Sequence, residues 1–195
     1  MYQQGCFGCG AVSPDGRICA SCRSRYAFDG AIIAADYDLP LVSSLVKGCK
    51  YRFVREVGAE LADIIIRRLE IEVAAGRGIG AGIFSYAIIP VPLSRRRSRW
   101  RGFNQAEEIG ERISRYFSLP VVRCLTRTHR PPQAKLAESD RLINLHGAFT
   151  ITEIPPKRCL LIDDVMTTGS TAQECAKTLR AAGAEEIWIA VVAKG

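Results

Sequence analysis

In two stretches of this chain, Cys159-Leu160-Leu161-Ile162 and Ile187-Trp188-Ile189-Ala190-Val191-Val192, apolar side chains fill consecutive positions instead of alternate ones. A strand of that kind must be covered on both faces, and such strands belong to parallel sheets packed between helices. The remaining pattern agrees. Residues 31–37, 87–91, 121–125, 158–162 and 187–193 read as short strands. Between them, Val54, Val57, Leu61, Ile64, Ile65 and Leu69 recur at a helical period over 53–69, and 103–117 and 171–182 read as further helices. Gly76, Gly78, Gly80 and Gly82 break the first of these as a glycine hinge. Asn104 with Glu107, and Thr171 with Glu174, have capping-box spacing or a near relative of it, and Gly183 is placed to end the last helix. The alternation predicts an α/β fold. Residues 126–149 show no period and read as a long loop with at most a short helical turn, of a length typical of functional lids or disorder.

Four of the eight cysteines, Cys6, Cys9, Cys19 and Cys22, form two Cys-x2-Cys pairs within the first 22 residues. Gly8 lies within the first pair and Gly10 directly after it, and Pro14-Asp15-Gly16 lies between the two pairs. Two tight turns carrying two thiolates each suit tetrahedral Zn²⁺, and a segment so poor in large apolar residues needs the metal to fold. Two disulfides or a pair of redox-active sites are the alternatives. A zinc knuckle over 1–26 followed by a main domain over 27–195 is the expected organisation. Cys49, Cys124, Cys159 and Cys175 sit in apolar surroundings and read as inert buried thiols.

The formal charge of +7 is uneven: residues 94–135 hold eleven Arg or Lys against three acids, a local +8, so the rest sums to −1. A concentrated cationic stretch attracts phosphate-bearing partners, or is simply a solvated basic face. No apolar run approaches the roughly 20 residues that span a bilayer, and Met1-Tyr2-Gln3-Gln4-Gly5 lacks the regions of a secretion signal. A cytoplasmic protein without a transmembrane segment is expected.

The chemistry concentrates in Cys159-Leu160-Leu161-Ile162-Asp163-Asp164-Val165-Met166-Thr167-Thr168-Gly169-Ser170-Thr171. A buried strand ends in two carboxylates, which can accept from sugar hydroxyls. Backbone N–H groups and the hydroxyls of Thr167, Thr168, Ser170 and Thr171 then make an anion pocket at a helix start, with Gly169 allowing close approach. Neither glycine-rich nucleotide-loop signature occurs. This stretch resembles the thirteen-residue phosphoribosyl pyrophosphate (PRPP) motif of the type I phosphoribosyltransferases at every position. The resemblance implies that Asp163 and Asp164 bind the ribose hydroxyls and that 167–171 bind the 5′-phosphate, Val165 and Met166 belonging to the same motif. Upstream, Pro92, Leu93, Ser94 and Arg95 lie in a stiff, then polycationic, turn where such enzymes keep their pyrophosphate loop.

Arg101-Gly102-Phe103-Asn104-Gln105-Ala106, Arg130-Pro131-Pro132-Gln133, Arg141-Leu142-Ile143-Asn144 and Gly147-Ala148-Phe149, with the N-terminal cysteines, resemble the ComF (ComFC) family of competence-associated proteins. That resemblance implies a PRPP-binding fold, bound zinc and a link to natural transformation, with competence proteins such as a DNA translocase as partners. It also implies that 27–82, with Lys47, Lys50, Tyr51 and Arg52, covers the site as a hood. Mg²⁺ and cations would neutralise the departing pyrophosphate. Arg97, Arg99 and Arg101 exceed what one pyrophosphate can use and are expected to face single-stranded DNA, with Trp100 able to stack on a base. His129 and His146 read as loop or surface residues. Three functions stay open: a transferase acting on an unknown acceptor with 126–149 as its lid, a non-catalytic PRPP sensor or single-stranded-DNA adaptor, and a nucleobase salvage transferase.

Overall fold

The computed structural model describes residues 4–51, 57–127 and 147–195. In chain order these form α1 (Ala20–Arg23), β1 (Gly30–Asp36), α2 (Pro40–Tyr51), α3 (Val57–Ala74), a 3₁₀ segment (Gly78–Ser85), β2 (Ala87–Pro90), α4 (Arg95–Arg101), α5 (Gln105–Phe117), β3 (Leu125–Arg127), β4 (Phe149–Ile151), β5 (Arg158–Met166), α6 (Ser170–Ala181) and β6 (Glu186–Lys194). The main sheet runs β1-β6-β5-β2, and every neighbouring pair is parallel.

Both faces of the sheet are covered, as its unbroken apolar runs require. Ile32, Ile88, Leu160, Ile162, Ala190 and Val192 pack on α2, α3 and α5, among Val46, Leu61, Ile65, Leu69, Ile109 and Ile113. Ile33, Ile89, Leu161, Ile189 and Val191 face the other way, toward Cys175 and Leu179 of α6 and Phe149 of β4. Phe7, Ile18 and Phe28 join this second core, so the cysteine-rich segment contributes buried apolar side chains of its own.

Several sequence expectations shift. The strand expected over 121–125 is absent: Val121 makes one parallel bridge to Ile88, and the chain then leaves the sheet. Pro120 can give only its carbonyl, accepting from Ile88 N at 2.8 Å, and Val122 N donates back at 2.9 Å to Ile88 O. Leu125–Arg127 instead pairs antiparallel with Phe149–Ile151, which puts both ends of the expected loop into a ribbon. Residues 128–146 of that loop, with His129, His146 and the Arg130 and Arg141 motifs, lie outside the described residues, as do Arg52 and the expected helix start at Phe53.

The described part of the helix expected over 53–69 is Val57–Ala74, which runs beyond the expected end, and α2 precedes it. Pro40 at the first helical position, then Val42, Val46 and Cys49 buried on one face, are the signals that reveal α2. The glycine run is a packed 3₁₀ segment instead of a hinge: a Cβ on Gly80 would lie 2.1 Å from the backbone of Glu72. Glu72, fully buried, accepts from Arg68 within α3 and from Arg77 at 2.9 Å, which ties the two segments together.

Candidate functional site

Parallel strands place their following turns along one sheet edge, where ligands of open α/β sheets bind. Pro90 pairs with Ile162, and Val91 N donates to Ile162 O at 3.0 Å, so the turn at Pro92–Ser94 begins beside Asp163. Asn104 fixes this turn from behind, donating through Nδ2 to Val91 O at 3.1 Å while its Oδ1 accepts from Ala106 N as the cap of α5. Beyond the turn, the expected polycationic loop is helical. Ser94 caps α4 by accepting from Arg97 N at 3.4 Å, and Gly102 ends it in the left-handed region. Arginine's good helix propensity and a Ser cap suffice for this short helix.

β5 does not stop at Ile162 but continues through both carboxylates to Met166. Asp163 Oδ1 accepts from Asp164 N at 2.8 Å, and Asp164 Oδ1 from Val165 N at 2.7 Å. Asp163 is half-buried and Asp164 buried. Thr167 and Thr168 follow in an exposed bend, and Gly169, at φ +74°, is the N-cap of α6. The capping box expected at Thr171 and Glu174 is not used. Thr168 takes that place weakly, its Oγ1 lying 3.4 Å from Ser170 N and 2.7 Å from Ser170 Oγ. Because the N-cap is a glycine and Thr168, of the N–H groups, reaches only that of Ser170, the turn combines first-turn N–H groups with a cluster of hydroxyls, an arrangement suited to an anion.

A residue the sequence did not reveal approaches this edge. Arg127 of β3 stacks over Phe149 at 5.3 Å. Burial pushes its pKa down, Arg97 adds to that effect, and Asp163 opposes it. Arg127 thus lies within electrostatic reach of both Arg97 and the Asp163 carboxylate. Arg96, Arg97, Arg99 and Trp100 are exposed on α4, whereas Arg101 is half-buried and donates to Gln105 Oε1 at 3.1 Å.

The sulfurs of Cys6, Cys9, Cys19 and Cys22 all lie within 4.8 Å of one another, the one such group of potential ligands among the described residues. Cys9 Sγ and Cys19 Sγ are 3.6 Å apart. Tetrahedral Zn²⁺ with bonds of about 2.3 Å needs sulfurs about 3.8 Å apart, so the cluster fits that ion and leaves no position open for chemistry. These thiols titrate together: hydrogen bonds with the Ser21 hydroxyl and the Cys6 thiol draw Cys19 down to about 6, whereas at Cys9 the lowering effect of the Ala11 amide is outweighed by hydrogen bonds with Cys19, Cys22 and Cys6, which push it up to about 11. Cys22 Sγ also accepts from Arg25 Nη2 at 2.7 Å. The other four cysteines are buried, as expected. Among the described residues no helix is long and apolar enough to cross a membrane.

A parallel sheet between helices, with an acidic strand end leading into this turn and a four-cysteine cluster capable of holding a metal, defines a phosphoribosyltransferase-fold protein with a cysteine knuckle. Residues 54–195 match the family described as phosphoribosyl transferase domain. The chain is 34% identical over 178 residues to "Competence protein F" of Haemophilus influenzae, covering 88% of this chain and 76% of that one. It is 34% identical over 163 residues to "DNA utilization protein YhgH" of Escherichia coli strain K12, covering 80% and 69%. To "Competence protein ComFC" of Bacillus subtilis it is 31% identical over 96 residues, covering 48% and 38%. The chain belongs to the ComF family of phosphoribosyl transferase-domain proteins.

Proposed function

We propose that this protein binds PRPP with Mg²⁺ and acts in the cytoplasm in DNA uptake or utilisation, transferring phosphoribosyl to an acceptor whose identity its residues do not specify. The observation that carries this reading is the β5–α6 connection: two carboxylates, four hydroxyl residues and a helix start whose N-cap is a glycine, on the edge shared with the Pro92–Ser94 turn. In this reading Asp163 and Asp164 accept from the ribose hydroxyls, and the 167–171 turn donates to the 5′-phosphate. Ser94 and Arg95 hold the pyrophosphate, with Arg127 and Arg97 stabilising its growing charge. Mg²⁺, when bound, supplies further neutralisation of that leaving group. No residue is assigned as the base for the incoming nucleophile.

The names of the relatives support the DNA-related setting, and the exposed Arg97, Arg99 and Trp100 on one helix support direct contact with single-stranded DNA. Structural Zn²⁺ on Cys6, Cys9, Cys19 and Cys22, a knuckle of 1–26, a domain of 27–195 and a hood within 27–82 complete the proposal.

Calorimetric titration of PRPP with and without Mg²⁺ tests it. Asp163→Asn with Asp164→Asn should weaken binding by about 3–6 kcal/mol, since two charge-assisted hydrogen bonds are lost. Native-like circular dichroism with undiminished affinity would refute the assignment. Metal analysis of reduced, chelator-free protein should return close to one zinc per chain, and Cys6→Ser should release it.

A further inference from the structure

Phe7 sits between two of the four cysteines, yet its ring is spent elsewhere. Hydrogen bonds from Cys6 N to Ala11 O and from Gly10 N to Cys6 O, both 2.8 Å, close the first knuckle turn. The Phe7 side chain projects from that turn into the core beside α6, where it is buried. There its edge meets the phosphate turn: a Cβ on Gly169 would lie 2.7 Å from Cε1 and 2.8 Å from Cζ of the ring. Lys194, which pairs with Met166 across β5 and β6, places its ammonium 4.9 Å over the same ring. Tyr26 and Phe28 pack against it at 5.7 and 5.8 Å between centroids.

A second latch runs from the first turn and a half of α6. Gln173 accepts from Ala27 N at 2.9 Å through Oε1 and donates through Nε2 to Arg25 O at 3.0 Å. The same residue's backbone N donates to Gly169 O at 2.8 Å. The turn proposed to hold phosphate is therefore joined to the N-terminal segment twice, by the Phe7 ring at Gly169 and by Gln173, which bonds both Gly169 O and the backbone at Arg25 and Ala27.

We propose that the knuckle is a metal-set clamp on the 167–171 turn: Phe7, fixed between the sulfur ligands, positions Gly169, so metal occupancy and anion binding strengthen one another. The anion-binding half rests on the function proposed above. Phe7 is a positioning residue that touches no ligand itself. Because coupling between two sites is reciprocal, the factor by which zinc tightens anion binding must equal the factor by which the anion tightens zinc binding.

The test uses the full, reduced chain with ribose 5-phosphate as probe. Phe7→Ala should keep its zinc but bind the probe roughly 5- to 50-fold more weakly, within the range typical of coupled sites. Phe7→Leu, which refills most of the volume, should recover most of that loss and serves if the alanine variant folds poorly. Zinc affinity of the wild type, measured by competition with a chromogenic chelator, should rise when the probe saturates, by the factor that separates probe affinity of the zinc-loaded and zinc-free wild type. Equal probe affinity in wild type and Phe7→Ala, or zinc affinity indifferent to the probe, overturns the coupling. If the wild type binds no probe, the anion assignment has failed, and amide hydrogen exchange decides the clamp alone. Zinc removal should then speed exchange across 166–172 while leaving α3, on the opposite face of the sheet, unchanged. Unaltered exchange in 166–172 overturns the clamp.

Discussion

At Gly169 two demands coincide, a left-handed backbone at φ +74° and a phenyl edge where any side chain would begin. Gly169→Ala should cost about 1–2 kcal/mol for the backbone and about 1–3 kcal/mol for overpacking. At roughly 2–4 °C per kcal/mol for a chain of this size, Tm should fall by about 4–20 °C. Adding Phe7→Ala should recover the overpacking part, so the double variant is expected to lose less than the sum of the two single losses. Additive losses in thermal melts would mean that the ring and the turn are independent. Gly169 and the acidic pair were legible in the sequence because a strand, two carboxylates, a hydroxyl-rich turn and a helix are contiguous. Phe7 and Arg127 were not, since they arrive from positions 162 and 42 residues away from Gly169 through packing that no local pattern encodes.

Among the elements, α4 shows how a charge run is resolved by a fold. Its seven residues include five arginines, and three of them show different surroundings. Arg101 turns to Gln105, Arg97 lies near enough to Arg127 to depress its pKa, and Arg99 stays exposed. Arg99→Ala should therefore flatten the salt dependence of single-stranded DNA binding by about 0.7 in log–log slope, one phosphate contact, without altering PRPP affinity. Arg97→Ala should weaken both ligands, and Arg101→Ala should change the slope least. Oligonucleotide binding across a salt series reads this, and identical slopes for wild type and the Arg99 variant would remove α4 as a DNA contact. The four sheet strands were legible because unbroken apolar runs have few other uses. The stretch at 121–125 misled because its apolar residues divide between the two cores, Val121 on the α3 and α5 side and Val122, Cys124 and Leu125 on the α6 side, with only Leu125 in the ribbon, and an apolar run alone does not distinguish that from a central strand. The α4 helix was hidden because a polycationic, seven-residue segment has no apolar period to read.

At the scale of the whole molecule, the sheet separates two cores, and the one beneath the knuckle concentrates unreactive thiols. Cys124, Cys159 and Cys175 all belong to it, and burial raises the pKa of each, to about 12 for Cys159. The consequence is a stability that depends on pH from the alkaline side. A thiol raised above its unfolded value near 9.0 stays protonated in the folded chain while the unfolded chain ionises. Its contribution is complete below pH 9 and declines as pH climbs toward the folded value, because the unfolded state then binds fewer protons. The slope is about 1.4 kcal/mol per pH unit for each such group, so Cys159 alone should remove about 2 kcal/mol by pH 10.5. Urea unfolding of zinc-loaded wild type and of Cys159→Ala at pH 7.5 and 10.5 isolates this, because the knuckle contributes equally to both. The wild type should lose more stability between the two pH values by that amount. Parallel losses would mean that the Cys159 thiol ionises as readily in the folded chain as in the unfolded one, and hence that water reaches the core beneath the knuckle.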